Sequence, residues 1–196
     1  MSKKQLEMAL EMVKWKKGKL GIKYEQYPTP SDVAADVLWR AFLMGDVEGK
    51  VVADLGCGTG RLAYGVELLG GRAICVELDE ELLKESPASE KVLARVPEVP
   101  LRKVDTVIMN PPFGTKRKKA DRPFLLAAFE LADAVYSVQP LGVKGVVFAL
   151  ARERGFECEV LARYNMLLPQ LYEFHVSRNK RVEVALYYCR KLSPLS

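Results

Sequence analysis

The chain has 196 residues, 49% of them hydrophobic, enough for one domain with a sizeable core and too few for two full ones. Its 30 Lys and Arg against 25 Asp and Glu leave a net charge of +5, which permits a polyanionic partner without requiring one. No apolar run approaches the roughly 20 residues that span a bilayer, and the N-terminal stretch through Lys17 has no signal-peptide core. Cys57, Cys75, Cys158 and Cys189 form no CxxC pair, and His175 is the single histidine. The expectation is therefore a cytoplasmic protein with no membrane segment, no metal site and buried, reduced thiols.

In chain order, Leu6, Met8, Ala9, Leu10, Met12 and Val13 lie between charged positions and predict an amphipathic helix over 3–15, running into the basic stretch Lys14, Lys16, Lys17 and Lys19. Ser31 and Asp32 are candidate caps for a helix through Phe42 that Gly45 ends. Residues 1–45 thus read as an N-terminal helical lid and 46–196 as the core of one domain. From Val51 onward short apolar strands alternate with helices, the βαβ pattern of an open parallel sheet. Strands are expected at Val51–Leu55, Ala73–Glu77, Val104–Met109, near Val135–Val138, at Phe156–Ala162 and at Arg181–Cys189. Helices are expected at Phe124–Ala134 and Val143–Arg154, with Ser177–Lys180 a polar turn. Between Leu78 and Lys103 an acidic helical start gives way to Pro87, Pro97 and Pro100, so any strand there is short or at an edge. The fold class is α/β, a doubly wound, mostly parallel sheet.

The first strand runs into Gly56-Cys57-Gly58-Thr59-Gly60 and then a helix from about Arg61. Glycines there allow positive φ and close backbone approach to a ligand, and the helix start offers unpaired N–H groups. A nicotinamide fingerprint needs Gly-x-Gly-x-x-Gly; this loop is Gly-x-Gly-x-Gly with Asp54 before it, the pattern of a methyltransferase cofactor loop. Asp54, Gly56, Gly58, Thr59, Gly60 and Arg61 are candidate cofactor residues, and Glu77 at the end of the next strand can accept both hydroxyls of a ribose. A tight βα turn with no ligand is the plainer alternative.

Val104–Met109 leads directly to Asn110-Pro111-Pro112-Phe113. An aromatic exocyclic amine is a poor nucleophile because its lone pair is delocalised into the ring. If Asn110 Oδ1 and the Pro111 carbonyl accept its two N–H bonds, the lone pair is directed at a sulfonium methyl and the developing positive charge is stabilised. Asn110 then lies beside cofactor and substrate together. The prolines fix the carbonyl by restricting φ, and Phe113 offers a face on which an extruded base can stack. The alternative is an ordinary turn, which Asn and Pro both favour.

These residues resemble the Rossmann-type (class I) amino-methyltransferases. More closely, they resemble the methyltransferase-like five family of small-subunit ribosomal RNA adenine-N6 methyltransferases. Three segments carry the likeness: Tyr24 to Thr29, Asp54 to Gly60, and Asp105 to Thr115. The resemblance implies S-adenosylmethionine as cofactor, a seven-stranded sheet whose last strand is antiparallel, and RNA as substrate. It implies that Gln26 and Thr29 reach the cofactor from the lid, that Gly56, Thr59 and Arg61 line its loop, that Glu77 holds ribose, and that Asn110 to Phe113 receive adenine. The family's Asp after the third strand, which contacts the cofactor adenine, has no counterpart between Lys91 and Lys103, where Val92 and Leu93 lie nearest. A shortened third strand also bears on the zinc-ribbon activator protein that eukaryotic members bind there.

Lys116, Arg117, Lys118, Lys119 and Arg122 follow the motif at once and are candidate phosphate contacts, or else a solvated loop. Trp15, Tyr24 and Tyr27 could stack bases but read more simply as packing residues, and His175 as a structural histidine in preference to a catalytic one. Two other targets suit the same clamp: the side-chain amide of protein glutamine, which Phe113 in place of the usual tyrosine argues against, and guanine N2 in RNA. A cofactor-binding RNA scaffold without turnover is the reading from another class.

Overall fold

The computed structural model describes residues 1–14, 29–113, 119–168 and 180–193. Helices α1 (Lys3–Glu11) and α2 (Ser31–Leu43) precede strand β1 (Val51–Leu55), α3 (Arg61–Leu68), β2 (Arg72–Glu77), α4 (Glu80–Glu85) and β3 (Glu90–Leu93). Then come β4 (Thr106–Met109), α5 (Arg122–Leu131), β5 (Ala134–Pro140), a 3₁₀ turn, α6 (Lys144–Glu153), β6 (Phe156–Leu168) and β7 (Lys180–Lys191). The strands form one seven-stranded sheet in the order β3-β2-β1-β4-β5-β7-β6. The first five are parallel, and β7 runs antiparallel to both β5 and β6.

The sheet residues alternate between two cores, as the two-residue strand period requires. Val52, Ala73, Ile108 and Ala134 face Leu6 and Leu10 of α1, Val37 and Leu38 of α2, and Leu62 and Val66 of α3. Their neighbours Ala53, Ile74, Val107 and Val135 face Leu125 and Ala128 of α5 and Val147 and Ala151 of α6. Residues 1–14 and 29–45 therefore share one apolar core with the sheet. Gly65 of α3 lets the layers close: a Cβ there would lie 2.3 Å from Leu38 Cδ1.

Several expectations need correction. Ser31 is the first residue of α2 and not its cap; Pro30 holds that position without a side-chain bond, and Asp32 in the first turn complements the helix dipole. The helix expected at Phe124–Ala134 spans Arg122–Leu131, and Ala134 already begins β5. The strand expected to end at Ala162 continues to Leu168. Its second half alternates exposed Arg163 and Asn165 with half-buried Tyr164 and buried Met166, so it hides only one face. The thiols expected to be reduced are paired, Cys57 with Cys75 and Cys158 with Cys189. Sequence spacing conceals both pairings: Cys158 and Cys189 are directly opposite on β6 and β7, and the βαβ crossover lays the turn after β1 over β2. His175 and Ser177 to Asn179 lie outside the described residues. Among the described residues no helix is long and apolar enough to cross a membrane.

Candidate active site

The turn after β1 is fastened to the end of β2 before any ligand is considered. Gly56 and Cys57 both donate their N–H to the Val76 carbonyl, at 2.8 and 3.0 Å, and the Cys57–Cys75 bridge joins the same two segments. Glu77, the last residue of β2, accepts from the N–H groups of Gly58 (2.8 Å), Leu78 (2.8 Å) and Asp79 (3.0 Å). Burial raises the Glu77 carboxyl above the ordinary carboxylate range, and the three N–H groups oppose that rise. Gly60 has φ +78°, and a Cβ on it would stand 1.9 Å from Ser86 Oγ, so glycine is required there twice over. Gly58 has φ +55° with nothing within 4 Å of a Cβ, an open approach for a ligand.

Asp54 lies beneath this turn, 2% exposed. Its Oδ2 accepts from Ala63 N–H at 3.1 Å and its Oδ1 has no partner among the described residues. Burial pushes its carboxyl up to about 8, against the Ala63 bond and helped by the Glu77 charge. Thr59 is buried in the same turn. Arg61, the first residue of α3, turns its guanidinium toward the N-terminal helices and donates to the carbonyls of Thr29 and, at 2.7 Å, Val13. Burial lowers its pKa, and Nε has no partner.

Asn110 follows β4, the central strand between β1 and β5. Its Nδ2 donates to Thr29 Oγ1 at 2.9 Å, and its Oδ1 is buried with no partner among the described residues. Pro111 is buried and Pro112 half-buried. Phe113, 7% exposed, packs in the core cluster of α2 and α3, so any face it offers a base lies inside the molecule. Lys119 is exposed with φ +64° and Arg122, half-buried, opens α5. Gln26 and Lys116, Arg117 and Lys118 lie outside the described residues. Among those described, no group of three His, Cys, Asp or Glu side chains is placed to hold a metal.

Thr29, Asp54, the glycine turn, Arg61, Glu77 and Asn110 thus gather at the carboxyl end of the parallel strands, where an open α/β sheet takes its ligand. Two neighbours escaped sequence reasoning: Ser86, which fills the space beside Gly60, and Phe124, whose Cε1 would be 2.9 Å from a Cβ on Gly56. Neither belongs to a motif, and no local pattern marks them.

No family model matches the chain. The rRNA N(6)-adenosine-methyltransferase METTL5 of Danio rerio is 34% identical to it, over 94% of this chain and 96% of that one. The chain belongs to the METTL5 family. An uncharacterised protein of Methanocaldococcus jannaschii is 33% identical over 97% of this chain and 94% of its own. A solved Pyrococcus horikoshii structure, provisionally described as an RNA methyltransferase, is 40% identical with a TM-score of 0.85, covering 98% of both chains. Membership of the METTL5 family makes the chain an S-adenosylmethionine-dependent methyltransferase on a Rossmann-like sheet. The residues present fit that cofactor. An unpartnered buried carboxylate oxygen, a second carboxylate at the end of β2 and open space above Gly58 suit a ligand with ribose hydroxyls and an ammonium group.

Proposed function

We propose that this METTL5-family enzyme methylates the exocyclic N6 of an adenine in RNA, with small-subunit ribosomal RNA as the substrate and the cytoplasm as its place of action. The observation that carries the reading is Asn110 Oδ1: an acceptor buried at the end of the central strand, with no partner among the described residues. A buried acceptor without a bond costs about 1–3 kcal/mol, and an incoming amine N–H relieves that cost. The names of the Danio rerio and Drosophila melanogaster relatives point to the same target.

S-adenosylmethionine, when bound, supplies an electrophilic methyl on a sulfonium. Asp54, the Gly56–Gly60 turn and Glu77 hold it in this reading, and Gln26 is a further candidate contact. Asn110 Oδ1 and the Pro111 carbonyl accept the two N–H bonds of N6, which directs its lone pair toward the methyl and stabilises the charge that develops. Once the amine is alkylated its surplus proton is acidic and leaves to solvent, so no strong side-chain base is needed. Phe113 closes the base pocket from the core side. Lys119 and Arg122 hold phosphates in this reading, and Lys116, Arg117 and Lys118, their neighbours in sequence, are further candidates. Exposed Arg163 and Arg181 on β6 and β7 add positive charge at the same end of the sheet. We further propose that the enzyme acts without a zinc-ribbon activator, because β3, the edge strand such a partner would extend, is only four residues long.

The test is transfer of labelled methyl from S-adenosylmethionine to total ribosomal RNA by the purified chain alone, followed by nucleoside analysis. Label in N6-methyladenosine, reduced at least about 100-fold in Asn110→Ala, is the expected result. Label in N2-methylguanosine or in protein glutamine would replace the substrate. Transfer only after addition of a zinc-ribbon activator would overturn independence.

A further inference from the structure

We propose that Thr29 is a positioning residue for the amine clamp: its hydroxyl accepts from Asn110 Nδ2 and so completes the orientation of the carboxamide that presents Oδ1 to substrate, and Arg61 in turn holds Thr29. The inference rests on reading Asn110 as the group that accepts the substrate N–H, and it assigns Thr29 a duty separate from cofactor contact.

A carboxamide is nearly symmetric in shape, and rotation by a half turn exchanges its acceptor for its donor. In one orientation Asn110 presents Oδ1 to an incoming amine. In the other it presents two N–H groups to the substrate's own N–H groups, which repels it. The terminal torsion of Asn is soft, so hydrogen bonds decide between the two. The structure supplies one such bond, from Asn110 Nδ2 to Thr29 Oγ1 at 2.9 Å, and among the described residues Oδ1 has no partner. A hydroxyl both donates and accepts, so Thr29 can serve either orientation. The substrate's N–H, arriving at Oδ1, selects the productive one, and the hydroxyl completes it by accepting from Nδ2. Thr29 is 8% exposed, which keeps water from substituting for that bond.

Thr29 sits outside regular structure, two residues before α2. What holds it is Arg61, which bridges the Thr29 carbonyl and the Val13 carbonyl from the first turn of α3. A planar, forked guanidinium can reach two carbonyls where an ammonium meets one. Arg61 follows directly on the cofactor turn, so a continuous set of contacts runs from that turn through Arg61 and Thr29 to Asn110.

The test compares Thr29→Val, Thr29→Ala and Thr29→Ser in the full chain, measuring kcat and KM with RNA at saturating S-adenosylmethionine, S-adenosylhomocysteine affinity by calorimetry, and the melting temperature. Loss of one buried bond to the clamp predicts a kcat fall of about 10- to 100-fold in the Val and Ala variants. Affinity for S-adenosylhomocysteine should stay within about twofold, and Ser should keep kcat within a few-fold. Unchanged kcat in Val and Ala would overturn the proposal. So would a loss of cofactor affinity with kcat preserved at saturation, which would make Thr29 a cofactor contact, and so would a Ser variant as impaired as Val. If the wild type methylates an amine other than adenine N6, the substrate assignment fails while the three variants still read out on that amine.

Discussion

Gly60 and Gly58 stand two residues apart in one turn, yet alanine at each should fail for a different reason. At Gly58 a side chain meets nothing within 4 Å, so Gly58→Ala carries only the left-handed backbone cost, about 1–2 kcal/mol, together with obstruction of the open ligand approach. At Gly60 the same cost is joined by collision with Ser86 Oγ, whose hydroxyl also accepts from Ala88 N–H at 3.2 Å. Urea unfolding should show Gly60→Ala destabilised well beyond Gly58→Ala, with the excess removed in a Gly60→Ala/Ser86→Gly double variant. Equal losses at the two positions would mean that Ser86 is not what excludes a side chain. The glycine turn and Asn110-Pro111-Pro112-Phe113 stood out as candidates because each pattern is carried by residues that are neighbours in sequence. Ser86 beside Gly60, and Thr29 on Asn110 from 81 residues away, are products of the folded sheet and leave no local trace.

At the scale of elements, Asp36 of α2 gathers Lys3 of α1, Arg40 of its own helix at 2.7 Å, and the Tyr164 hydroxyl of β6 at 2.7 Å. Burial alone would raise its carboxyl, but the bonds from Arg40, Lys3 and Tyr164 outweigh that and hold it at about 2. A carboxylate whose folded pKa lies below its unfolded value of about 3.9 stabilises the fold fully above that value and loses the contribution as pH falls toward 2. Thermal melts should therefore show a stability loss between about pH 4 and 2 that is smaller in Asp36→Asn, a variant that starts lower at neutral pH. A wild type and variant with parallel acid profiles would refute the assignment. The same junction lies in the part of β6 beyond Ala162, where the strand was expected to end: Tyr164 pairs with Val184 of β7 and reaches α2 through its hydroxyl. β1 was read to the residue, since a parallel strand buried on both faces is a continuous apolar run. The four-residue β3, half exposed at the edge, gave no such run.

For the whole molecule, the two disulfides close loops with sequence separations of 18 and 31. Chain-entropy reasoning gives each about 3–4 kcal/mol of stability, a large share of the roughly 5–15 kcal/mol of an ordinary domain. Treatment with a phosphine reductant should lower the melting temperature by many degrees, and alkylation followed by mass measurement should count four thiols only after reduction. Thiols that react fully without reductant would show that the bridges do not form in solution. The seven strands and the antiparallel last one followed from the family likeness and the parallel ones from βαβ alternation, whereas the cysteine pairing needed the register of β6 on β7 and the path of the turn over β2. The Cys57–Cys75 bridge has a further effect on recognition. Because it anchors the Gly56–Gly60 turn, proposed above to hold the cofactor, before any ligand arrives, little motion remains to be frozen on binding, and association should be preorganised. In the reduced protein the same turn has more conformations to surrender. S-adenosylhomocysteine should then bind with a more unfavourable entropy, and the amide hydrogens of Gly56 to Gly60 should exchange faster in the free state while approaching oxidised-form protection once ligand is bound.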